Sequence, residues 1–160
     1  MKKRVCLSCL LVFLFAGCLA KTDVDPAKQV AANTAVTTLM NEYLNAYNSK
    51  EIAFYQNTIT DSALILGTDP NEFWTKEKAI SEMAKVFKEN AALKMVFDTL
   101  VIRVSADGNS AFVIDQVVGE KVAFREMLHV VKVNDKWMFD LINWTFVPKN
   151  EDMPKINKAL

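Results

Sequence analysis

The chain has 160 residues, 19 basic and 19 acidic side chains, and no net charge. Nucleic-acid binding, which needs a clustered basic face, is therefore excluded as the main role. One histidine, three cysteines and four glycines leave no recognisable zinc or calcium ligand set, no phosphate-cradling glycine loop and no Gly-x-Ser-x-Gly elbow, so no cofactor is expected.

Residues 1–18 come first. Lys2, Lys3 and Arg4 open the chain, an apolar run spans 5–15, and Ala16-Gly17-Cys18 closes it. The run is too short for the roughly 20 residues that cross a bilayer as a helix, and its flanks are those of a secretory signal. Phe15-Ala16-Gly17-Cys18 resembles a bacterial lipobox, although Phe15 stands where Leu is most usual. That resemblance implies removal of 1–17, acylation of Cys18 and a cell-envelope location. A plain signal peptide cut after Ala20 is the alternative. Leu19 rather than Asp follows the cysteine, so nothing resembles an inner-membrane retention signal and the outer membrane is favoured. Cys6, Cys9 and Cys18 all belong to this segment, which leaves the mature domain without a disulfide or a thiolate. Without Lys2, Lys3 and Arg4, 16 basic side chains face 19 acidic ones. About 140 residues remain, the size of one domain that buries roughly two thirds of its unfolded surface. Residues 18–25 form the lipidated cysteine and a short tether.

Asp25-Pro26 is a helix start, with an N-cap acid and proline at the first helical position. Val30, Thr37, Met40, Tyr43, Leu44 and Tyr47 then recur at three- and four-residue steps as one apolar stripe. Asn48-Ser49 interrupts it, and Ser49 is suited to cap a second, short helix carrying Ile52, Phe54 and Tyr55. Residues 63–66 read as a short buried strand, and 67–71 as a turn cluster. Thr75 caps a third helix in which Ile80, Met83, Ala84 and Phe87 share a face. After Asn90 the period becomes alternating. Strands are expected at 94–104, 110–118, 122–133 and 137–147, joined by turns at Ala106-Asp107-Gly108-Asn109, Gly119-Glu120 and Asn134-Asp135-Lys136. Helices segregated to one side of an antiparallel meander make an α+β domain of order ααβαββββ, followed by a tail at 149–160.

This order, with two local segments, is similar to the nuclear transport factor 2-like superfamily and, within it, to SnoaL-like domains. Leu66-Gly67-Thr68-Asp69-Pro70-Asn71-Glu72-Phe73-Trp74 resembles the family's link between first strand and third helix. Asn134-Asp135-Lys136-Trp137 and Asn143-Trp144-Thr145-Phe146 resemble its last hairpin and closing strand. The likeness spans 26–148. It implies a curved sheet wrapped on three helices, a pocket between them and, in many members, a homodimer through the outer sheet face. It does not decide among isomerases, dehydratases and binding modules.

The candidate residues follow from what this chain would place inside such a pocket. On the strand at 94–104, Asp98 is in phase with Val96, Leu100, Ile102 and Val104; a desolvated carboxylate there can act as a general base. On 122–133, Glu126 and Lys132 mark the even face as outer, which turns Arg125 and His129 inward, with His129 a plausible proton shuttle. On the last strand Asn143 and Thr145 alternate with Trp137, Phe139 and Leu141. In many SnoaL-like relatives a cavity-facing histidine stands at the position of Asn143, and asparagine cannot take up a proton at physiological pH. Tyr47 is the positional counterpart of the first-helix tyrosine of ketosteroid isomerase relatives. Tyr43, Tyr55 and Trp74 supply aromatic walls, while Asp69 is suited to cap its turn. These residues suit a pocket for a small apolar or amphipathic ligand, with an acid–base isomerase or dehydratase and a ligand-free dimeric module as the alternatives.

If Cys18 carries acyl chains, two or more of them make the anchor stable where one is marginal. Cys18→Ser is then expected to move the protein from the membrane fraction to the soluble one; unchanged fractionation would refute lipidation.

Overall fold

The computed structural model describes residues 25–92, 94–118 and 123–159. The signal segment 1–17, Cys18 with its tether up to residue 24, and the Gly119-Glu120 turn lie outside the described residues.

Helix α1, Pro26–Ser49, begins where the Asp25 carboxylate accepts hydrogen bonds from the Ala27 and Lys28 amides at 2.9 and 3.4 Å. Its buried face is Ala32, Val36, Leu39, Met40, Tyr43 and Ala46. Val30, placed on the stripe by its spacing, is 67% exposed. The helix stops at Lys50, whose φ of 63° is left-handed and whose amide donates back to the Ala46 and Tyr47 carbonyls. Helix α2, Ile52–Thr58, follows. Ser49 does not cap it: the hydroxyl bonds to the Asn45 carbonyl at 2.8 Å, and Glu51 holds the N-cap position without a side-chain bond. The Tyr55 hydroxyl donates to the Tyr43 carbonyl at 2.9 Å and ties α2 to α1.

Strand β1, Ile59–Leu66, starts four residues earlier than its apolar run suggests, because Ile59 pairs with Phe139 of the last strand. A two-residue strand β2, Phe73–Trp74, folds back on it. Helix α3, Lys76–Glu89, is capped by the Thr75 hydroxyl, which accepts from the Lys78 amide at 3.4 Å. It buries Ala79, Met83 and Phe87, while Ala84 is exposed.

Strands β3, Val96–Val104; β4, Ser110–Val118; β5, Ala123–Val133; and β6, Lys136–Phe146, pair antiparallel in succession. With β1 parallel to β6, the full sheet order is β2-β1-β6-β5-β4-β3. The turn between β5 and β6 puts Asn134 and Asp135 at φ 48° and 62°, the paired positive angles of a twist-matched two-residue hairpin. The turn before β4 uses Gly108 at φ 70°, with the Asp107 carboxylate accepting from the Asn109 amide. At 149–160, where a tail was expected, a 3-10 turn over 150–152 leads into helix α4, Met153–Ala159, neither with a buried residue.

The helices cover one face of the sheet. Val36, Met40 and Tyr55 pack there on Ile65, Leu128 and Phe139, all fully buried; each such side chain contributes about 1.5–3 kcal/mol of transfer free energy. Asn48 joins the two layers at one end. Its amide donates to the Met95 carbonyl and its oxygen accepts from the Met95 amide, both at 2.8 Å, so the end of α1 acts as a strand partner for the approach to β3.

Candidate functional site

Which side chains point at the helices is decided by β4 and β5. Ala111, Val113, Asp115 and Val117 of β4 are buried, as are Glu126, Leu128 and Val130 of β5. The even face of β5 is thus the inner one. Arg125 and Met127 are exposed and His129 is half-buried on the outer face. The expectation that Arg125 and His129 share the pocket is corrected, and the reason lies in reading Glu126 as a solvated acid. It is 6% exposed, directly opposite fully buried Asp115 in the β4–β5 ladder.

Two irregularities of register correct the remaining phases. Between Phe97 and Thr99 the β3–β4 pairing shifts, so Phe97, Leu100, Ile102 and Val104 turn inward and Asp98 is exposed. A second shift falls between His129 and Val130, whose partners are Leu141 and Phe139. Asp140 is passed over, and Phe139, Ile142 and Trp144 become the inner residues of β6. Asn143, opposite exposed Met127, and Thr145, opposite exposed Arg125, go to the outer face. A bulge changes phase in this way because the extra residue has no partner in the ladder.

The displaced candidates form contacts of their own outside. Gln116 donates to Asp98 at 2.8 Å and accepts from Arg125 at 3.3 Å. His129 Nδ1 lies 3.2 Å from Asp140 Oδ2, and its ring is 4.8 Å from that of Phe112. Asp69 caps its turn as expected, accepting from the Asn71 amide at 2.9 Å.

Inside, a cavity of about 230 Å³ opens between α3, the end of α1, the β1–β2 link and the inner face of the sheet. Tyr47, Trp74, Phe87, Phe124 and Trp144 supply its aromatic wall. Tyr43 and Tyr55 lie deeper in the core, their rings 5.3 Å apart and edge-to-face. The Gly67–Glu72 link closes one side. Glu72 lies so tightly over Gly67 that a Cβ there would stand 2.0 Å from Glu72 Oε2, and that same oxygen accepts the Asp69 amide at 3.0 Å.

Glu126 is the buried polar side chain of this wall. The Tyr43 hydroxyl and the Trp144 indole stand where they favour its ionised form, and the indole donates to the Tyr43 oxygen at 3.1 Å. Oε2 of Glu126 and both Asp115 oxygens have no partner among the described residues. A buried polar atom left unpaired costs about 1–3 kcal/mol, and like charges directly opposite in a ladder repel. Burial pushes Asp115 up to about 7. Burial first, and the Asp115 charge second, push Glu126 well above the carboxylate range against the pull of Tyr43 and Trp144. Burial, with Glu126 next, also raises the Tyr43 and Tyr47 hydroxyls. Two facing carboxyls of this kind share their protons as a unit. Neither was singled out from the sequence. The only available sign was Asp115 standing in phase with Ala111, Val113 and Val117, on a strand whose other face is equally apolar. Among the described residues no group of His, Cys, Asp and Glu is arranged to hold a metal ion.

The sign of the resulting pH dependence is direct. An unfolded Asp loses its proton near pH 4, whereas native Asp115 keeps its own to about pH 7. Between these values the native state binds the extra proton, so stability falls as pH rises through the window, and Glu126 extends the fall upward. Asp115→Asn is expected to flatten this slope in urea titrations, with a gain of about 1–3 kcal/mol over wild type near pH 8 and none near pH 4. An equal loss at both pH values would mean that the native carboxyl is not destabilised by ionisation.

The domain model for the SnoaL-like domain matches residues 36–146. No curated protein matches the chain. Solved structures do. An uncharacterised protein with a cystatin-like fold from Caulobacter vibrioides superposes with a TM-score of 0.69 at 14% identity, over 81% of this chain and 99% of that one. A candidate scytalone dehydratase from Novosphingobium aromaticivorans gives 0.64 at 14%, over 76% and 88%. A nuclear transport factor 2-like protein of unknown function from Shewanella baltica gives 0.59 at 15%, over 75% and 97%. At these identities the structures share the fold alone. With the domain match across most of its described residues, the chain belongs to the SnoaL-like family.

Proposed function

We propose that this is a lipid-anchored cell-envelope protein, held through Cys18, whose SnoaL-like domain binds a small, mostly apolar molecule in the cavity beside Glu126. The observation that carries the reading is the cavity itself: about 230 Å³, walled by five aromatic rings, with a buried carboxyl oxygen that has no partner. Ligand pockets are typically apolar hollows of a few hundred Å³ with a few placed polar groups. Asp98 and His129, the proton-transfer candidates of the sequence, stand on the outer face of the sheet, so a turnover reading would rest on Glu126 and Asp115 alone.

The outer face supports a second role, self-association. Val101, Phe112, Ile114 and Met127 are 41%, 62%, 44% and 48% exposed on β3, β4 and β5, an apolar surface of the kind that marks an interface. A two-fold pairing through it would cover these side chains and leave the cavity free.

Two experiments test these readings. Val86 lies at the cavity and is 40% exposed; Val86→Trp is expected to fill the opening without disturbing the core. Native mass spectrometry of the purified protein should show a co-purifying small molecule on wild type and a loss of it in this variant. A wild-type protein that carries no molecule, and whose Trp74 and Trp144 fluorescence responds to no apolar probe, would overturn the binding reading. For self-association, Phe112→Lys is expected to convert a sedimenting dimer to monomer; a wild-type monomer at all concentrations would rule it out.

A further inference from the structure

We propose that the cavity takes a protonated amine carried on a small apolar body, its ammonium N–H donating to the Glu126 carboxyl. The inference rests on the binding reading above and specifies its ligand.

Three carboxyls line the cavity, and no lysine or arginine does among the described residues. Two of the three are already engaged. Glu82 accepts from Lys78 and Lys85 at 2.5 and 2.8 Å, and Glu72 accepts from the Asp69 amide. Glu126 alone combines near-complete burial with an oxygen that has no donor. A neutral ligand could accept a proton from Glu126 but would leave Asp115, immediately behind it in the ladder, as orphaned as before. A single positive charge at the Glu126 carboxyl acts on both acids. It also meets the faces of the aromatic wall, which attract cations. A primary or secondary amine fits better than a quaternary one, because a carboxyl accepts hydrogen bonds and a quaternary nitrogen has no N–H to offer.

The charged and titratable groups around Glu126 come from every layer. Tyr43 and Tyr47 of α1, Tyr55 of α2 and Asp115 of β4 act on it or are acted on by it. Across the cavity α3 presents Glu82, neutralised by its two lysines, and the β1–β2 link presents Glu72. Lys50 Nζ lies 4.7 Å from the Tyr47 ring centroid and 5.3 Å from that of Phe87. Burial keeps the Glu126 proton on in the empty cavity. An arriving ammonium favours the ionised form, so that proton leaves to buffer as the ligand binds.

Isothermal titration calorimetry on the mature protein in lipid nanodiscs, with empty nanodiscs as blank, tests this with three probes of one size: 2-phenylethylammonium, 2-phenylethanol and 3-phenylpropanoate. Near pH 8 the ammonium is expected to bind about tenfold or more tighter than the alcohol, and the carboxylate more weakly than either. Repeating the ammonium titration in buffers of different ionisation heat should reveal about one proton released per ligand. Glu126→Gln should bring ammonium and alcohol within about twofold of each other. Equal affinity of ammonium and alcohol on wild type, or tighter binding of the carboxylate, would overturn the amine inference and leave the binding reading standing. Absence of binding by all three would sink both. Should Glu126→Gln fail to fold, proton release on wild type decides, and none released overturns the proposal.

Discussion

Two unpartnered residues in the sheet, Asp98 in β3 and Asp140 in β6, decide which side chains the protein shows to its helices. A strand with strict alternation keeps one face inward along its whole length. Here the phase switches partway along both strands, and the switch in β6 brings Phe139, Ile142 and Trp144 inward together. Trp144 then meets Tyr43 from α1 and Glu126 from β5. The cavity wall, the surroundings of its carboxyl and the inward position of the core all depend on this register.

The interior also carries an electrostatic load that apolar packing must offset. Asp115 and Glu126 face each other in the middle of an otherwise apolar sheet face. In ordinary cores such a pair is replaced by hydrocarbon or bridged by a cation. Here neither has happened among the described residues, and the carboxyls remain partly unpaired. Polar groups kept at such expense mark sites where a structure has been tuned for something besides stability. Glu126 reaches the cavity and Asp115 sits behind it, so the second acid raises the first. The two act as one proton-holding unit that a ligand addresses from one side.

The two faces of the sheet separate chemical roles. The inner face holds the aromatic wall and the acids. The outer face holds a polar chain through Asp98, Gln116 and Arg125, the His129–Asp140 contact, and a set of exposed apolar side chains between them. An apolar surface crossed by polar contacts suits a wet, specific association better than an oily one. Occupation of one face need not disturb the other, because a sheet directs alternate side chains to opposite sides.

Much of the architecture was legible in the chain. The Asp25-Pro26 and Thr75 helix starts, the Asn134-Asp135 hairpin and the change from helical to alternating period depend on local backbone chemistry, which neighbours in sequence settle among themselves. The link from Gly67 to Trp74 was legible for the same reason. The inner face of each strand was not, because β4 and β5 are apolar on both sides and no local pattern says which side a helix will cover. Asp98, Arg125, His129, Asn143 and Thr145 were all assigned to the wrong face through this one ambiguity, compounded by two bulges that exist only as a relation between strands. Glu126 was read as a solvated acid and Asp115 was passed over because a carboxyl's environment is a property of what packs around it. The sequence by itself determined the order of the main helices and strands and several of their ends; pairing across the sheet, a long-range matter of register, decided where the acids went and therefore what the cavity can hold.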